Sequence, residues 1–431
     1  MTPRPFASVG ALYLHVPFCV RRCRYCDFST AATRHDDPLM ATYASSLENL
    51  VEEARELGFL AECQTAYLGG GTPTMLGAKS LSSLVSAVRS VPSVRELSFE
   101  ANPESLTDEV LGATVASGAT RVSIGVQSFD DRELRGLGRV HTAGLASVRV
   151  AAAVASGFDV SLDLMCGIPF QTPESWHKSL SRAVELGVGH VSCYPLMIEA
   201  GTPLERMCEA GEVPWPSDDT EADDMEAALD VLESAGYSRY EVASYAQPGK
   251  RCQHNIAYWT GVPYLGLGVS AASMLSLPEY EALRAVVSSL PAPSDGAWRF
   301  RLTSSDDVRA YARARSLAEL SFEVEQMTET EAVAEDLMLA ARMTDGIPAA
   351  LQVRARHVLG ENRVGECFSA LIGNGFLVAA DCGSLIPTHK GWLLGNELYG
   401  PLWDLASEGQ MPSSASLMLR TIAAVHAIRY E

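Results

Sequence analysis

Three cysteines stand close together near the start of the chain, Cys19, Cys23 and Cys26, in the stretch HVPFCVRRCRYCDF. Even scattering of the chain's ten cysteines would leave only about 0.2 in so short a window. Thiolates at C-x3-C-x2-C spacing suit an iron–sulfur cluster with three irons held by the protein and the fourth open to an exchangeable ligand. Zinc is the competitor, with His15 completing a Cys3His set. His15 falls within an expected strand before Cys19, however, which makes closure awkward. Three plain buried thiols are the remaining alternative. Arg21, Arg22 and Arg24 lie inside the loop, where their charge would favour thiolates and offset an anionic cluster, or simply form a solvated face.

The elements that must carry this loop read as alternating strands and helices. Strands are expected at residues 12–16, 65–68, 96–100, 121–126, 159–164 and 190–195. Helices are expected at 39–57, 78–90, 108–117, 143–156 and 174–186. This alternation predicts a parallel sheet with covering helices. No G-x-G-x-x-G follows the first strand, which argues against a dinucleotide fold. The short motifs fall just after strands, where α/β barrels and open sheets place their sites. Beyond a Pro-containing boundary near 212–219, an acidic helix at 220–235 precedes a strand-like stretch at 237–245. Residues 276–330 are weakly patterned and read as an insertion or linker. Helices at 335–343, 349–359 and 364–374, a hairpin of 376–380 with 384–387 and a final helix at 391–405 suggest a winged-helix-like end.

The chain has 431 residues, 47% of them hydrophobic and 20% charged, ordinary globular usage for two or three domains. Its formal net charge of −20 makes a nucleic-acid partner a poor expectation and reads as solubility. No stretch approaches the roughly 18 apolar residues of a membrane span, and no secretory core opens the chain. A cytoplasmic, reducing location is expected, with peripheral membrane association left open.

The cysteine spacing resembles the radical S-adenosylmethionine (SAM) superfamily, whose open iron is chelated by SAM. Tyr25, before the last cysteine, fits that pattern. Gly69-Gly70-Gly71-Thr72-Pro73 looks like the superfamily's glycine motif for the methionine amino group. Four further blocks, Glu100–Pro103, Ser123–Phe129, Leu137–His141 and Asp163–Pro169, resemble oxygen-independent coproporphyrinogen oxidases and their relatives. The resemblance implies SAM contacts for Tyr13, Tyr25, Gly70, Gly71, Thr72, Glu100, Gln127, Arg139 and Asp163. Carboxylates there would accept from ribose hydroxyls or the amino group, and Arg139 would pair with the SAM carboxylate.

Within that family, Phe28 stands where the decarboxylating oxidase has a fourth cysteine, and it resembles the HemW-type haem chaperone branch instead. So does Cys252-Gln253-His254-Asn255-Ile256-Ala257-Tyr258-Trp259, which matches that branch's HNxxYW signature. The branch implies haem binding, with His254 as the candidate axial ligand, Tyr258 and Trp259 stacking on the porphyrin, and Cys252 as a soft alternative. A structural histidine in an aromatic core is the competing reading. Two departures stand out: Ser270 and Ala272 replace a Gly and a His of a family glycine motif, and Ser244 stands where Asn is common.

The expected architecture is therefore an incomplete parallel (β/α)6-type barrel over residues 1–215, an α+β extension over 216–275, the 276–330 segment, and a helical winged-helix-like domain over 331–431. The expected function is a haem chaperone that holds a [4Fe–4S] cluster, SAM and haem and passes haem to acceptor proteins. The alternative is coproporphyrinogen III decarboxylation, a radical SAM oxidoreductase reaction that would also need an electron donor. No catalytic residue is assigned.

Overall fold

The computed structural model describes residues 7–34 and 37–407. A single twelve-stranded sheet organises them. We number its strands β1 (Ala11–Val16), β2 (Thr65–Gly70), β3 (Glu96–Ala101), β4 (Arg121–Gln127), β5 (Asp159–Cys166), β6 (His190–Pro195), β7 (Ser238–Arg239), β8 (Ser244–Ala246), β9 (Tyr264–Leu267), β10 (Ala272–Ser276), β11 (Ala297–Ser304) and β12 (Phe322–Thr328). Their spatial order is β12-β11-β10-β9-β1-β2-β3-β4-β5-β6-β8-β7. Strands β9 and β1 to β6 run parallel, and both flanks are antiparallel. The end strands do not pair, so the sheet is an open, mixed one and not a purely parallel barrel.

Period-two alternation explains which face does what. Leu12, Leu14, Leu97, Phe99, Val122, Ile124, Leu162 and Leu164 point outward and are fully buried under the helices. Their neighbours Ser98, Glu100, Arg121, Ser123, Ser161, Asp163, His190 and Ser192 point inward, so the lumen is polar. Side-chain caps begin the covering helices. Asp37 accepts from Leu39 N at the start of Pro38–Glu56, and Thr107 caps Asp108–Ser117. Among the described residues no helix is long and apolar enough to cross a membrane.

Residues 276–330, expected as an insertion or linker, instead build helix Leu277–Arg284 and strands β11 and β12. The pattern was hidden by charge. In β11, Phe300 and Leu302 are buried on one face while Arg299 and Arg301 occupy the other. Those arginines are satisfied by the helix Glu329–Ala340. Arg299 pairs with Glu335 (2.9 Å) and Asp336 (2.7 Å), and Arg301 pairs with Glu335 (2.5 Å) and with Glu325 of β12 (2.8 Å).

The C-terminal region is helical, with Ala349–Leu359 and Glu361–Gly373 followed by a hairpin of Leu377–Ala379 with Leu385–Pro387. The single final helix expected at 391–405 is broken at Leu394 into His389–Leu393 and Gly395–Trp403, because Leu394 leaves helical geometry. The strand-like stretch at 237–245 resolves into the two short strands β7 and β8.

Glu335 is 1% exposed between two guanidiniums, and removing one member of a buried charge network strands the others. Glu335→Ala should lower stability by about 3 kcal/mol in urea denaturation. A loss below about 0.5 kcal/mol would show that the network is not what joins the C-terminal helices to the sheet.

Candidate functional site

The cysteine loop is clamped at its base. Phe18–Cys19 pairs with Ala31–Ala32, and Thr33 N donates to Cys19 O at 2.8 Å. Its other side rests on the end of the helix Asp131–Leu137. Arg24 N donates to Leu137 O (3.0 Å), Arg24 Nη1 to Gly136 O (3.1 Å) and Arg21 Nη2 to Gly138 O (2.5 Å). Arg22 Nε donates to Cys26 O at 2.8 Å. These arginines therefore hold carbonyls, two of them at a helix C-terminus where cations are favoured. The guanidinium that reaches a thiol is Arg139, whose Nη1 lies 3.5 Å from Cys23 Sγ.

Cys19, Cys23 and Cys26 are free, half-buried and line one cavity. Burial pushes the Cys26 thiol up to about 12 and raises that of Cys19. A bound cluster would supply the positive charge that holds thiolates there. Among the described residues no group of three or more His, Cys, Asp and Glu side chains could hold a single metal ion. A four-iron cube takes each thiolate on a different iron and needs no such convergence. His15 does not complete a zinc set: Tyr13 OH lies 3.1 Å from its Nδ1, and its Nε2 lies 3.0 Å from Ser29 O. Three free thiols on one clamped loop, with Arg139 behind them, thus fit the cluster.

Gly70 and Gly71 sit where the loop after β2 crosses the one after β1. A Cβ on Gly71 would come 2.7 to 2.9 Å from backbone atoms of Pro17, Val16 and Phe18, and one on Gly70 would strike the His15 ring at 2.4 Å. The glycines serve this loop crossing first, and both also line the cavity. Thr72 Oγ1 lies 3.5 Å from Cys19 Sγ and accepts from Asn102 Nδ2 at 2.8 Å. Asn102 Oδ1 accepts from Arg139 Nη2 at 2.6 Å, and Arg139 also donates to Gly125 O. Asn102 thus ties the contact on Cys19 to the contact on Cys23. Reasoning from sequence passed over it, although it lies in the Glu100–Pro103 block.

The facing wall carries two carboxylates. Glu100 accepts from Tyr67 OH (3.0 Å) and Gly70 N (3.1 Å), and Asp163 accepts from Ser123 Oγ (3.1 Å). Burial, with Asp163 nearby, pushes Glu100 up to about 7, and burial pushes Asp163 up to about 6. Gln127 ends β4 at a register shift, with φ of 68°, a conformation that costs a non-glycine residue strain and aims its side chain at the strand ends. Tyr25 lines the mouth and packs against Leu137, Met165, Ile168 and Leu196. Tyr13 is not among the lining residues. It is buried beside Tyr67, with its hydroxyl on His15.

His254 lies at the other end. Helix Gln253–Trp259 closes the floor, where Glu96 accepts from Gln253 N (3.1 Å) and His254 N (3.0 Å) and Arg121 lies 3.4 Å from Glu96. The floor lies roughly 16 Å below the strand ends along β2. His254 is 1% exposed, with Tyr258 and Trp259 also buried. His254, the expected axial ligand of haem, and Tyr258 and Trp259, expected to stack on the porphyrin, thus lie packed within the floor helix in this structure. Cys252 is buried as well, its thiol on Glu96 (3.5 Å) and Asn255 (3.3 Å), but it lines the floor of the cavity.

The radical SAM superfamily model matches residues 13–183. The chain is 34% identical over 377 residues to the haem chaperone HemW of Mycobacterium tuberculosis, covering 84% of this chain and 90% of the relative. It is 36% identical over 286 residues to HemW of Escherichia coli, covering 64% and 72%. The solved structure of the radical SAM enzyme coproporphyrinogen III oxidase (HemN) from E. coli superposes with a TM-score of 0.73 at 20% identity, covering 94% of this chain and 92% of that one. At that identity the likeness shows the fold: a radical SAM α/β fold with an open mixed sheet and a distinct C-terminal helical region.

The paired carboxyls give a pH prediction. Glu100 and Asp163 hold their protons more tightly in the folded chain than in the unfolded one. Stability of the cluster-free protein should therefore fall as pH rises from the ordinary carboxyl range to about 7. Glu100→Gln should reduce that slope in urea denaturation followed across pH, the remainder coming from Asp163 and other raised carboxyls such as Glu221. Equal slopes for the variant and the parent would contradict the assignment.

Proposed function

Because this chain belongs to the HemW-type family of radical SAM haem chaperones, we propose that it holds a [4Fe–4S] cluster on Cys19, Cys23 and Cys26, binds SAM across the strand ends, and carries haem to acceptor proteins. The observation that carries this reading is the cavity itself: three free thiols at its mouth, Arg139 against one of them, and Glu100 and Asp163 on the facing wall.

In this reading the residues divide the work by chemistry. Arg139, fixed by Asn102 and the Gly125 carbonyl, pairs with the SAM carboxylate. Glu100 and Asp163 accept from its amino and ribose hydroxyl groups, and their raised proton affinity is relieved when those donors arrive. Gln127, Tyr25, Gly70, Gly71 and Thr72 shape the mouth and limit water. When bound, the cluster supplies one-electron chemistry at its open iron; an electron donor is needed only if SAM is cleaved. Haem is handled outside the closed floor. A cytoplasmic location suits the free thiols.

Phe28 lines the cavity at the position where the decarboxylating oxidase has a cysteine, which favours the chaperone over coproporphyrinogen III oxidation. The shared fold and the intact set of polar SAM contacts sustain the oxidase as the second reading.

The test is anaerobic reconstitution of the full chain. We expect iron and sulfide to load onto the parent and not onto Cys23→Ser. Haemin titration should give a saturable Soret change, with haem delivered to an apo-haemoprotein. Coproporphyrinogen supplied with SAM and a reductant should remain unconverted. Turnover to protoporphyrinogen would overturn the chaperone assignment.

A further inference from the structure

The signature histidine, His254, is buried in the floor helix. Its ring is fixed on several sides. Nδ1 lies 3.0 Å from Thr65 Oγ1, the ring meets Tyr258 edge-on at 4.8 Å, and it stacks on Tyr67 at 5.1 Å with planes 22° apart. Tyr67 also stacks against Tyr13 at 6.5 Å. The far end of Tyr67 is its hydroxyl, which donates to Glu100 Oε1, while Glu100 Oε2 accepts from Gly70 N. One row of contacts therefore runs from the floor helix through Tyr67 and Glu100 to the glycine loop beside the cysteines.

We infer that His254 is a positioning residue of the SAM pocket: its ring fixes Tyr67, and Tyr67 in turn holds the Glu100 carboxylate toward the cavity. The inference rests on the reading of the strand-end cavity as the SAM site. The physical argument is one of alternatives. A tyrosine on an inner strand face has few rotamers, and the stack on His254 selects the one whose hydroxyl meets Glu100. A carboxylate inside a sheltered lumen turns toward whichever donor is offered, and losing Tyr67's hydroxyl would leave it free to turn away from SAM. The same stack ties the floor helix to the site, so the signature reads as a long-range brace.

The test uses the anaerobically reconstituted full chain with matched iron content and measures the SAM dissociation constant beside a haemin titration. His254→Ala should weaken SAM binding roughly three- to tenfold, the worth of one aromatic contact. His254→Phe, which keeps a stacked ring, should restore affinity to within about twofold. Tyr67→Phe keeps the ring and deletes the hydroxyl. It should weaken SAM binding on its own, and His254→Ala added to it should cost little more, because both act through one carboxylate. Thr65→Val, which frees the ring without emptying space, should move affinity in the same direction by less and covers the case that His254→Ala does not fold. Haemin affinity and Soret position should be unchanged throughout. Unchanged SAM affinity in His254→Ala, fully additive effects in the double variant, or loss of haemin binding in both His254 variants would overturn the inference. If the loaded parent itself binds no SAM, the cavity reading fails and the inference falls with it.

Discussion

The constraint on which the rest depends is that this sheet turns a polar face inward. Buried polar groups seek partners, and here several inward side chains find them on neighbouring strands. Tyr67 donates to Glu100, Ser123 donates to Asp163, and Ser161 Oγ meets His190 Nδ1 at 2.7 Å. His190 Nε2 in turn meets Tyr240 OH at 2.9 Å. The apolar core is displaced to the outer face, under the helices, and the lumen is left as space that a polar ligand can occupy. An open sheet with such a lumen must be closed at both ends. The cysteine loop closes the top, and the helix capped by Glu96 closes the floor.

At the top, closure and chemistry use the same atoms. Cys19, Thr72, Asn102, Arg139 and Cys23 form one row of polar contacts across four loops. The loop after β1 cannot move without disturbing the strand ends that face SAM in the proposed function. This is preorganisation of an electrostatic kind: donors and charges are held before the ligand arrives. The glycines contribute by letting two backbones cross within 2.8 Å, Gly71 N donating to Val16 O, and not only by approaching a ligand.

Much of this was legible in the sequence. The cysteine spacing located the mouth, and the alternation of strands and helices located β1 to β6. The blocks around Glu100, Gln127, Arg139 and Asp163 located the wall. What escaped had physical reasons. Strand β11 reads as polar because its inward arginines are neutralised by Glu335, Asp336 and Glu325, which lie on other elements. Arg21 and Arg24 look like thiolate partners, yet helix-end carbonyls claim them, while Arg139 arrives from far along the chain. His254 looks like a ligand because imidazole often is one. Only the fold reveals that the floor helix turns it inward against Tyr67.

In the proposed function SAM binds the open iron of a cluster held by this cavity, with the wall residues around it. The most direct measurement is pulsed electron–nuclear double resonance on the reduced, reconstituted protein with SAM labelled at its amino nitrogen. A resolved hyperfine coupling from that nitrogen to the cluster is expected, lost in Arg139→Met. A reduced cluster whose spectrum is indifferent to labelled SAM would contradict it.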